Sequence, residues 1–325
     1  MPCSQMNRPT NGLTNGEGSV RVPLGCVMET GFLEGPVAQR RRLAQRAVDA
    51  GIRHTFTADH VSFHTGMGMD GLLRSALVSS LHDELEVHVG VYLLALRHPL
   101  PVARQVCELA ASAPGRLVLG IGVGGEDPHE FEVCGVDPKT RGRRTSESLA
   151  ILRPLLAGET VTHHGRFFEV AAAKVRPIPR PAVPIVIGGR SPAALERAAR
   201  YGDGWLGIWS DAKRYAATLA QFGEIATACG RADVPWRHGL QLWAAVGDDR
   251  AKARARIAAR MEAMYRTPYE RFERYAPAGS AREVADFLRP IIAAGCGYVN
   301  LLAVADSTEQ MIDDMAAVGE ALAEG

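Results

Sequence analysis

The feature that most constrains this chain is a regular alternation between short β-branched segments and longer helical segments. Eight apolar segments have the length and the Val, Ile and Leu content of buried strands, and a helical pattern follows each of them. Strands that are apolar on both faces and separated by helices form a parallel sheet with its helices outside. Eight such units predict an α/β fold, a (β/α)8 TIM barrel, and leave an open doubly wound sheet as the alternative.

The predicted elements follow one another along almost the whole chain. The strands cover residues 20–27, 53–58, 85–94, 117–121, 184–187, 204–207, 239–246 and 297–303. The helices cover residues 36–50, 70–80, 99–112, 140–157, 192–201, 212–229, 249–265, 281–294 and 308–323. Local signals mark some of their ends, because Pro99 suits a first helical turn and Gly51 suits the residue after a last one.

Residues 158–182 interrupt the alternation. Segments 159–162 and 166–170 flank the sequence His163-His164-Gly165 and predict a hairpin, and a proline-rich link follows it. We interpret this region as an insertion between strands four and five and not as a second domain. The barrel domain is therefore expected to cover residues 20–325, after a flexible tail of residues 1–19.

Composition excludes several classes of protein. The 37 Lys and Arg residues balance 36 Asp and Glu residues, so the basic excess of a nucleic-acid binder is missing. No apolar run reaches the roughly 18 residues that a membrane span needs. The six cysteines are scattered without a C-x-x-C pair, which favours reduced thiols and a cytoplasmic location.

Polar residues directly after the predicted strands are the first candidates for chemistry, because TIM-barrel active sites lie where strands end. Asp59 and His60 follow strand two, and His64 lies four residues further on. An acid beside an imidazole can orient the ring or handle a proton near neutral pH. The alternative is an aspartate that caps the next turn, with a histidine packed against it.

A glycine-rich segment follows strand four. Gly120, Gly122 and Gly125 match the G-x-G-x-x-G pattern of dinucleotide-binding proteins. The match is weak, because it lies in the fourth unit and runs into the acidic pair Glu126-Asp127, which would repel a phosphate. We interpret the segment as backbone that must approach a flat ligand closely.

The segment after strand five has the features of an anion site. Gly188 and Gly189 leave backbone N–H groups free to point at an anion, and Arg190 adds a formal charge. Ser191 is a good N-cap and Pro192 suits the first helical position, so a helix N-terminus follows directly. The alternative is that the two glycines only form a tight turn.

The adjacent histidines of the predicted hairpin do not predict a metal site. His163 and His164 have no third ligand at a suitable spacing, so exposure on the hairpin explains them better. We therefore expect no metal in this protein.

Five stretches occur in an informative order: Arg97-His98-Pro99, residues 116–122, Gly165-Arg166-Phe167-Phe168, residues 184–191 and Gly202-Asp203-Gly204-Trp205. Together they resemble the bacterial luciferase-like family of flavin- or coenzyme F420-dependent oxidoreductases, nearest its methylene-tetrahydromethanopterin-reductase-like branch. The resemblance covers about residues 20–325. It implies a (β/α)8 barrel with the cofactor over the C-terminal mouth.

The resemblance also implies roles for individual residues. Asp59 and His60 match the family's Asp-His pair beside the cofactor ring. Val89-Gly90-Val91 matches the end of strand three, where family members carry a strained cis peptide that presses on the ring.

Further along the chain, Val123, Gly124 and Gly125 match the loop under the ribityl chain, and Gly188 and Gly189 match the phosphate site. Sugar-phosphate dehydrogenases of this family carry Trp where this chain has His64, and Glu where it has Gly125. These two departures argue against a sugar-phosphate substrate.

The resemblance leaves three functions open. The favoured one is an oxidoreductase in which reduced coenzyme F420 delivers a hydride to a small organic substrate. The second is an FMN-dependent monooxygenase that uses reduced flavin and oxygen, and the third is a non-catalytic flavin-binding barrel. Family members usually form homodimers, so a homodimer is expected.

Overall fold

Eight parallel strands close into a barrel in the computed structural model, which describes residues 13–14, 20–64 and 66–324. They are β1 (Leu24–Val27), β2 (His54–Thr57), β3 (Glu86–Leu93), β4 (Leu117–Gly122), β5 (Ile185–Gly188), β6 (Gly204–Ile208), β7 (Gly239–Val246) and β8 (Tyr298–Ala303). Each strand pairs in parallel with the next along the chain, and β8 pairs with β1. This closure confirms the predicted TIM barrel and excludes the open sheet.

The major helices surround this barrel. They are α1 (Val37–Asp49), α2 (Gly71–Ser79), α3 (Pro99–Ser112), α4 (Arg141–Leu156), α5 (Pro192–Tyr201), α6 (Ala212–Ala228), α7 (Arg250–Tyr265), α8 (Ala281–Ala293) and α9 (Thr308–Ala323). Every predicted helix is present, with ends that differ by at most two residues from the sequence-based bounds. Within the described residues, no helix is both long enough and apolar enough to cross a membrane.

The first predicted strand is divided in two. Val20–Arg21 pairs antiparallel with Leu13–Thr14, and only Leu24–Val27 joins the barrel. Pro23 separates the two parts, because it has no N–H to donate to a neighbouring strand. The other residues of the predicted tail, 1–12 and 15–19, lie outside the described residues.

Some short elements were not predicted. A hairpin of His60–Phe63 and Met67–Met69 follows β2, and a short helix, Pro128–Val133, follows β4. Strands of three or four residues are too short to show a clear alternation in sequence. The predicted insertion is confirmed as a hairpin in which Val161–His164 pairs antiparallel with Glu169–Ala173.

One half of the barrel interior is polar. The imidazole Nε2 of His54 on β2 lies 2.8 Å from Oδ1 of Asn300 on β8, and the His54 ring stacks on that of His88 at 3.9 Å. Burial lowers the pKa of both imidazoles well below their usual range, so both rings are neutral and stack without charge repulsion. The Tyr298 ring packs edge-on against both imidazoles and also joins an apolar cluster of Val118, Val186 and Leu206.

A bulge in β3 explains why glycine occupies two positions on the neighbouring strand β4. The register of β3 against β4 shifts between Val89 and Tyr92, and the Gly90–Val91 peptide is cis, as predicted. A Cβ atom on Gly122 would lie 2.2 Å from Val91 Cγ2, and one on Gly120 would lie 2.1 Å from the Val89 carbonyl oxygen. These two glycines therefore make room for the neighbouring strand β3. From sequence, the glycines are expected only to let backbone approach a flat ligand.

The packing of β3 predicts opposite effects for two Gly→Ala substitutions. Gly120→Ala should lower the free energy of unfolding by about 1–3 kcal/mol or more, because backbone must move to admit the methyl group. Gly223→Ala, at an exposed position of α6 with nothing within 4 Å, should raise it by about 0.5–1 kcal/mol. Urea unfolding of both variants measures this, and a Gly120→Ala protein as stable as wild type would contradict it.

Candidate active site

A buried carboxylate connects the elements at the C-terminal end of β2. The side chain of Asp59 is 0% exposed. It accepts hydrogen bonds from the backbone N–H groups of Gly71 (3.0 Å) and Leu93 (2.9 Å), and from both terminal nitrogens of Arg97 (2.6 and 2.9 Å). Asp59 therefore joins the end of β2 to the start of α2 and the end of β3. Burial raises the pKa of Asp59, and the Arg97 guanidinium opposes that rise.

The imidazole of His60 is oriented by a second buried carboxylate. Its Nδ1 lies 3.1 Å from Oε2 of Glu130, whose side chain is 2% exposed. The other oxygen of Glu130 accepts from the backbone N–H groups of Val61 (2.6 Å) and Ser62 (3.3 Å). A carboxylate at Nδ1 places the ring proton there and leaves Nε2 as the free nitrogen. This arrangement suits a residue that must present one nitrogen to a reacting group.

His64 directly follows the same hairpin strand and is hydrogen-bonded to the N-cap of the same short helix. Its backbone N–H donates to Oδ2 of Asp127 at 2.6 Å, and its Nδ1 lies 3.7 Å from that oxygen. Although burial works against ionisation, hydrogen bonds from the His64 and His129 backbone lower the pKa of Asp127. The Phe63 ring contacts both imidazoles, with centroids 4.2 Å from His60 and 4.0 Å from His64.

The partners of the predicted residues were not identified from sequence. The contacts that Arg97, Asp127 and Glu130 make to Asp59, His64 and His60 join residues 38 or more positions apart. A local signal existed for two of them, because Asp127-Pro128 begins a helix as N-cap and first residue, and Glu130 is then in its first turn. From sequence alone, that acidic segment indicated only an unfavourable place for a phosphate.

The predicted anion site has the expected helix geometry. Ser191 caps α5, and its Oγ accepts from the Ala194 N–H at 3.2 Å. Gly189 has a φ of +130°, and its carbonyl oxygen accepts from the Trp205 indole at 2.7 Å. Arg190 and Ser191 are exposed, so the N-terminus of α5 faces solvent where an anion could bind.

A second group with cationic character lies at the loop after β4. Gly125 has a φ of +128°, and a Cβ on it would lie 3.1 Å from Nε of Arg141. That Nε is buried and has no hydrogen-bond partner among the described residues. Arg197 of α5 donates to the Gly142 carbonyl at 3.0 Å, which brings the N-terminus of α4 beside α5. The donors in this region therefore fit a phosphate-bearing ligand.

A cavity of about 340 Å³ opens on the side of the mouth formed by β1, β2, β7 and β8. Gly90 is the predicted site residue that reaches its lining, together with Phe56, Gln241 and Trp243. A Cβ on Gly90 would lie 3.0 Å from both Gln241 Oε1 and Asn300 Nδ2. Both atoms are buried without partners in the described part of the chain. The bulge in β3 thus separates the loops after β4 and β5 from this cavity.

The Asp59–Arg97 pair predicts a stability change that depends on pH. Arg97→Met should cost about 3–5 kcal/mol near pH 8, because it leaves a buried carboxylate without its cation. Since burial raises the pKa of Asp59 above its unfolded value, the folded variant holds that proton more tightly. The added stability is present at acidic pH and is lost as the pH rises through the folded-state pKa.

The measurement is the difference in unfolding free energy between wild type and Arg97→Met, taken at pH 5 and at pH 8. We expect the difference to be smaller at pH 5. The double variant Asp59→Asn/Arg97→Met is the control and should lack this dependence. An equal loss at both pH values in the single variant would contradict the analysis.

Comparisons with known proteins find a family profile, sequence relatives and solved structures that are similar to this chain. The profile of the luciferase-like monooxygenase family matches residues 21–324. The chain is 34% identical over 218 residues to an F420-dependent hydroxymycolic acid dehydrogenase of Mycobacterium tuberculosis, covering 65% of this chain and 60% of that protein. It is 31% identical over 183 residues to an F420-dependent glucose-6-phosphate dehydrogenase of Kineococcus radiotolerans, covering 54% and 52%. The aligned regions thus span only half to three fifths of these relatives.

Two solved structures show the same fold at low sequence identity. One is an F420-dependent secondary alcohol dehydrogenase in complex with an F420-acetone adduct, with a TM-score of 0.77 and 19% identity over 93% of this chain and 99% of that one. The other is a monooxygenase from Streptomyces bottropensis, with a TM-score of 0.77, 22% identity and the same coverage. Because the family profile extends over nearly the whole described barrel, the chain belongs to the luciferase-like monooxygenase family.

Proposed function

We propose that this protein is an oxidoreductase that uses reduced coenzyme F420 to transfer a hydride to a small organic substrate. The observation that carries the proposal is His60, held at Nδ1 by the buried Glu130 on the hairpin that follows β2. The imidazole is thus oriented at the C-terminal end of the barrel strands, where the active sites of TIM-barrel enzymes lie. Coenzyme F420 is preferred over FMN because the two sequence relatives described above are both named F420-dependent.

The residues present fit such a cofactor. The N-terminus of α5 with Gly189, Arg190 and Ser191, and the unpartnered Arg141 Nε beside Gly125, would hold its phosphate. The bulge at Gly90 and Val91 would support the ring, and the loop at residues 123–125 would lie under the chain that links ring and phosphate. When bound, the cofactor supplies a hydride to an electron-poor carbon of the substrate.

The protein's own groups have separate tasks in this proposal. His60 presents Nε2 to the reacting groups, where it can move a proton or stabilise negative charge near neutral pH. Glu130 is a positioning residue, because it fixes the His60 ring through Nδ1. Asp59 is also a positioning residue, since its carboxylate is fully buried and bound to Arg97. His64 is a second candidate for contact with substrate or cofactor, beside Phe63.

Titration with coenzyme F420 and with FMN, each followed by fluorescence, separates the three functions. Binding of F420 without oxygen uptake supports the proposal. Binding of reduced FMN with oxygen uptake would instead identify a monooxygenase. Tight binding of either cofactor, with no oxidation of its reduced form by a panel of ketones and aldehydes and no reduction of its oxidised form by the matching alcohols, would favour a non-catalytic barrel.

His60→Ala should fold, bind the cofactor at the α5 end, and lose turnover by about 10²–10⁴-fold, the usual effect of removing a general acid or base. His129→Ala, at an exposed histidine on the neighbouring short helix, is the matched control and should keep full activity. Melting temperature, cofactor affinity and single-turnover oxidation are measured on the same preparations. An unchanged single-turnover rate in His60→Ala would exclude the catalytic role and make His64 the next candidate.

Gly189→Asp should weaken cofactor binding by roughly ten- to hundredfold, because it adds a side chain and a negative charge where a phosphate meets backbone N–H groups. Its Cβ would also lie 2.7 Å from that of Ala194, so a second variant is needed. Arg190→Glu changes only an exposed side chain and should weaken binding in the same direction. Gly51→Asp, at a left-handed glycine with open space around it, is the control. Wild-type affinity in both site variants would place the phosphate elsewhere.

We propose a cytoplasmic location and a homodimer as well. The five cysteines in the described residues are all free thiols, which suits a reducing compartment. The homodimer rests on the family resemblance, and sedimentation equilibrium tests it.

A further inference from the structure

The cavity beside Gly90 has mainly apolar walls. Phe56, Trp243 and Leu302 line it with four methionines, which are Met28, Met69, Met264 and Met311. Methionine side chains are flexible and polarisable, so they adapt to apolar groups of different shape. Such walls favour a ligand with an aliphatic or aromatic body.

Two carboxylates, Glu29 and Asp306, and two guanidinium groups, Arg74 and Arg260, line this cavity. Glu29 lies 3.8 Å from Arg260, and Asp306 lies 3.8 Å from Arg256. Arg74 also lines the cavity, but among the described residues no carboxylate oxygen lies within 4 Å of it. Its hydrogen-bond partner in the structure is the Met69 sulfur, at 3.5 Å.

Arg74 therefore forms no salt bridge in the described part of the chain, although Glu29 and Glu34 act on its charge from beyond 4 Å. It lies on α2, next to the hairpin that carries His60, and its burial lowers the pKa of the guanidinium. A partly buried guanidinium is stabilised most by a carboxylate or phosphate, which can accept two parallel hydrogen bonds. The cavity thus combines an apolar wall with one strong site for an anionic group.

A second polar group marks the reacting end of the cavity. Gln241 lines it, and the Gln241 amide oxygen and the Asn300 amide nitrogen are buried beside Gly90 without partners in the described part of the chain. Buried amides of this kind are normally satisfied by a ligand or an ordered water. They lie against the bulge that would support the cofactor ring.

We propose that the substrate is an apolar carboxylate whose anionic group binds Arg74, whose hydrocarbon body contacts the methionine and aromatic wall, and whose polar reacting group lies near Gly90 and Gln241. This inference names the substrate class of the reaction proposed above and rests on that function. A carboxylate is chosen over a sugar phosphate because methionine and aromatic side chains form much of the wall, and because His64 and Gly125 depart from the pattern of the sugar-phosphate enzymes.

Calorimetric titration of the purified protein, without added cofactor, tests the anion site directly. The probes are octanoate, 1-octanol and octyltrimethylammonium, which share one chain and differ in head-group charge. We expect octanoate to bind roughly tenfold or more tightly than 1-octanol, and the cation to bind least. Octanoate affinity equal to that of 1-octanol would overturn the proposal.

Variants of Arg74 and Arg260, the two arginines that line the cavity, show which of them causes the preference for octanoate. Arg74→Gln should remove the preference for octanoate while leaving 1-octanol affinity unchanged, and Arg74→Lys should keep part of it. Arg260→Gln is the matched control from the same cavity and should keep the preference, because Arg260 already faces Glu29. Urea midpoints verify that each variant is folded. A preference that survives Arg74→Gln, or that is lost in Arg260→Gln, would overturn the assignment.

The two proposals fail separately in these measurements. If octanoate binds through Arg74 but neither F420 nor FMN binds, the redox function is wrong and the anion site stands. If F420 binds and is turned over, but octanoate shows no dependence on Arg74, the substrate class is wrong.

Discussion

The buried Asp59 carboxylate is the interaction on which the arrangement of the barrel mouth depends. It compensates the positive charge of Arg97 and accepts two backbone N–H groups from different elements, so its own burial is offset by four hydrogen bonds. The end of β2, the start of α2 and the end of β3 are thereby held together. His60 follows Asp59 directly in the chain, so the contacts that hold Asp59 also fix the position of the His60 backbone.

Two further carboxylates, from the loop and short helix after β4, complete the arrangement. Glu130 and Asp127 belong to the short helix after β4, and they bind the hairpin after β2 at its two ends. The hairpin buries the Phe63 ring, while Val61 and Met67 are about half exposed. Hydrogen bonds to these acids and the packing of Phe63 together hold His60 and His64 in place. A surface loop gains the fixed geometry that catalysis requires.

The bulge in β3 divides the mouth into two regions. On one side, Val91 fills the space left by Gly122 and Gly188, next to the loops whose donors fit a phosphate. On the other side, Gly90 faces the buried amides of Gln241 and Asn300 and the apolar cavity. A ring supported on the bulge would contact both regions, which is what hydride transfer between a cofactor and a substrate needs.

Local patterns in the sequence determined the number and positions of the barrel strands, the helix ends and the Ser191 cap, because periodicity and turn chemistry are properties of neighbouring residues. They also identified Asp59 and His60 as candidates. Only the tertiary structure decided that Arg97 neutralises Asp59, that Glu130 orients His60 from 70 residues away, and that Arg74 lines the cavity beside Gly90. These contacts join the ends of different strands, and no local signal in the chain specifies which loops barrel closure brings together.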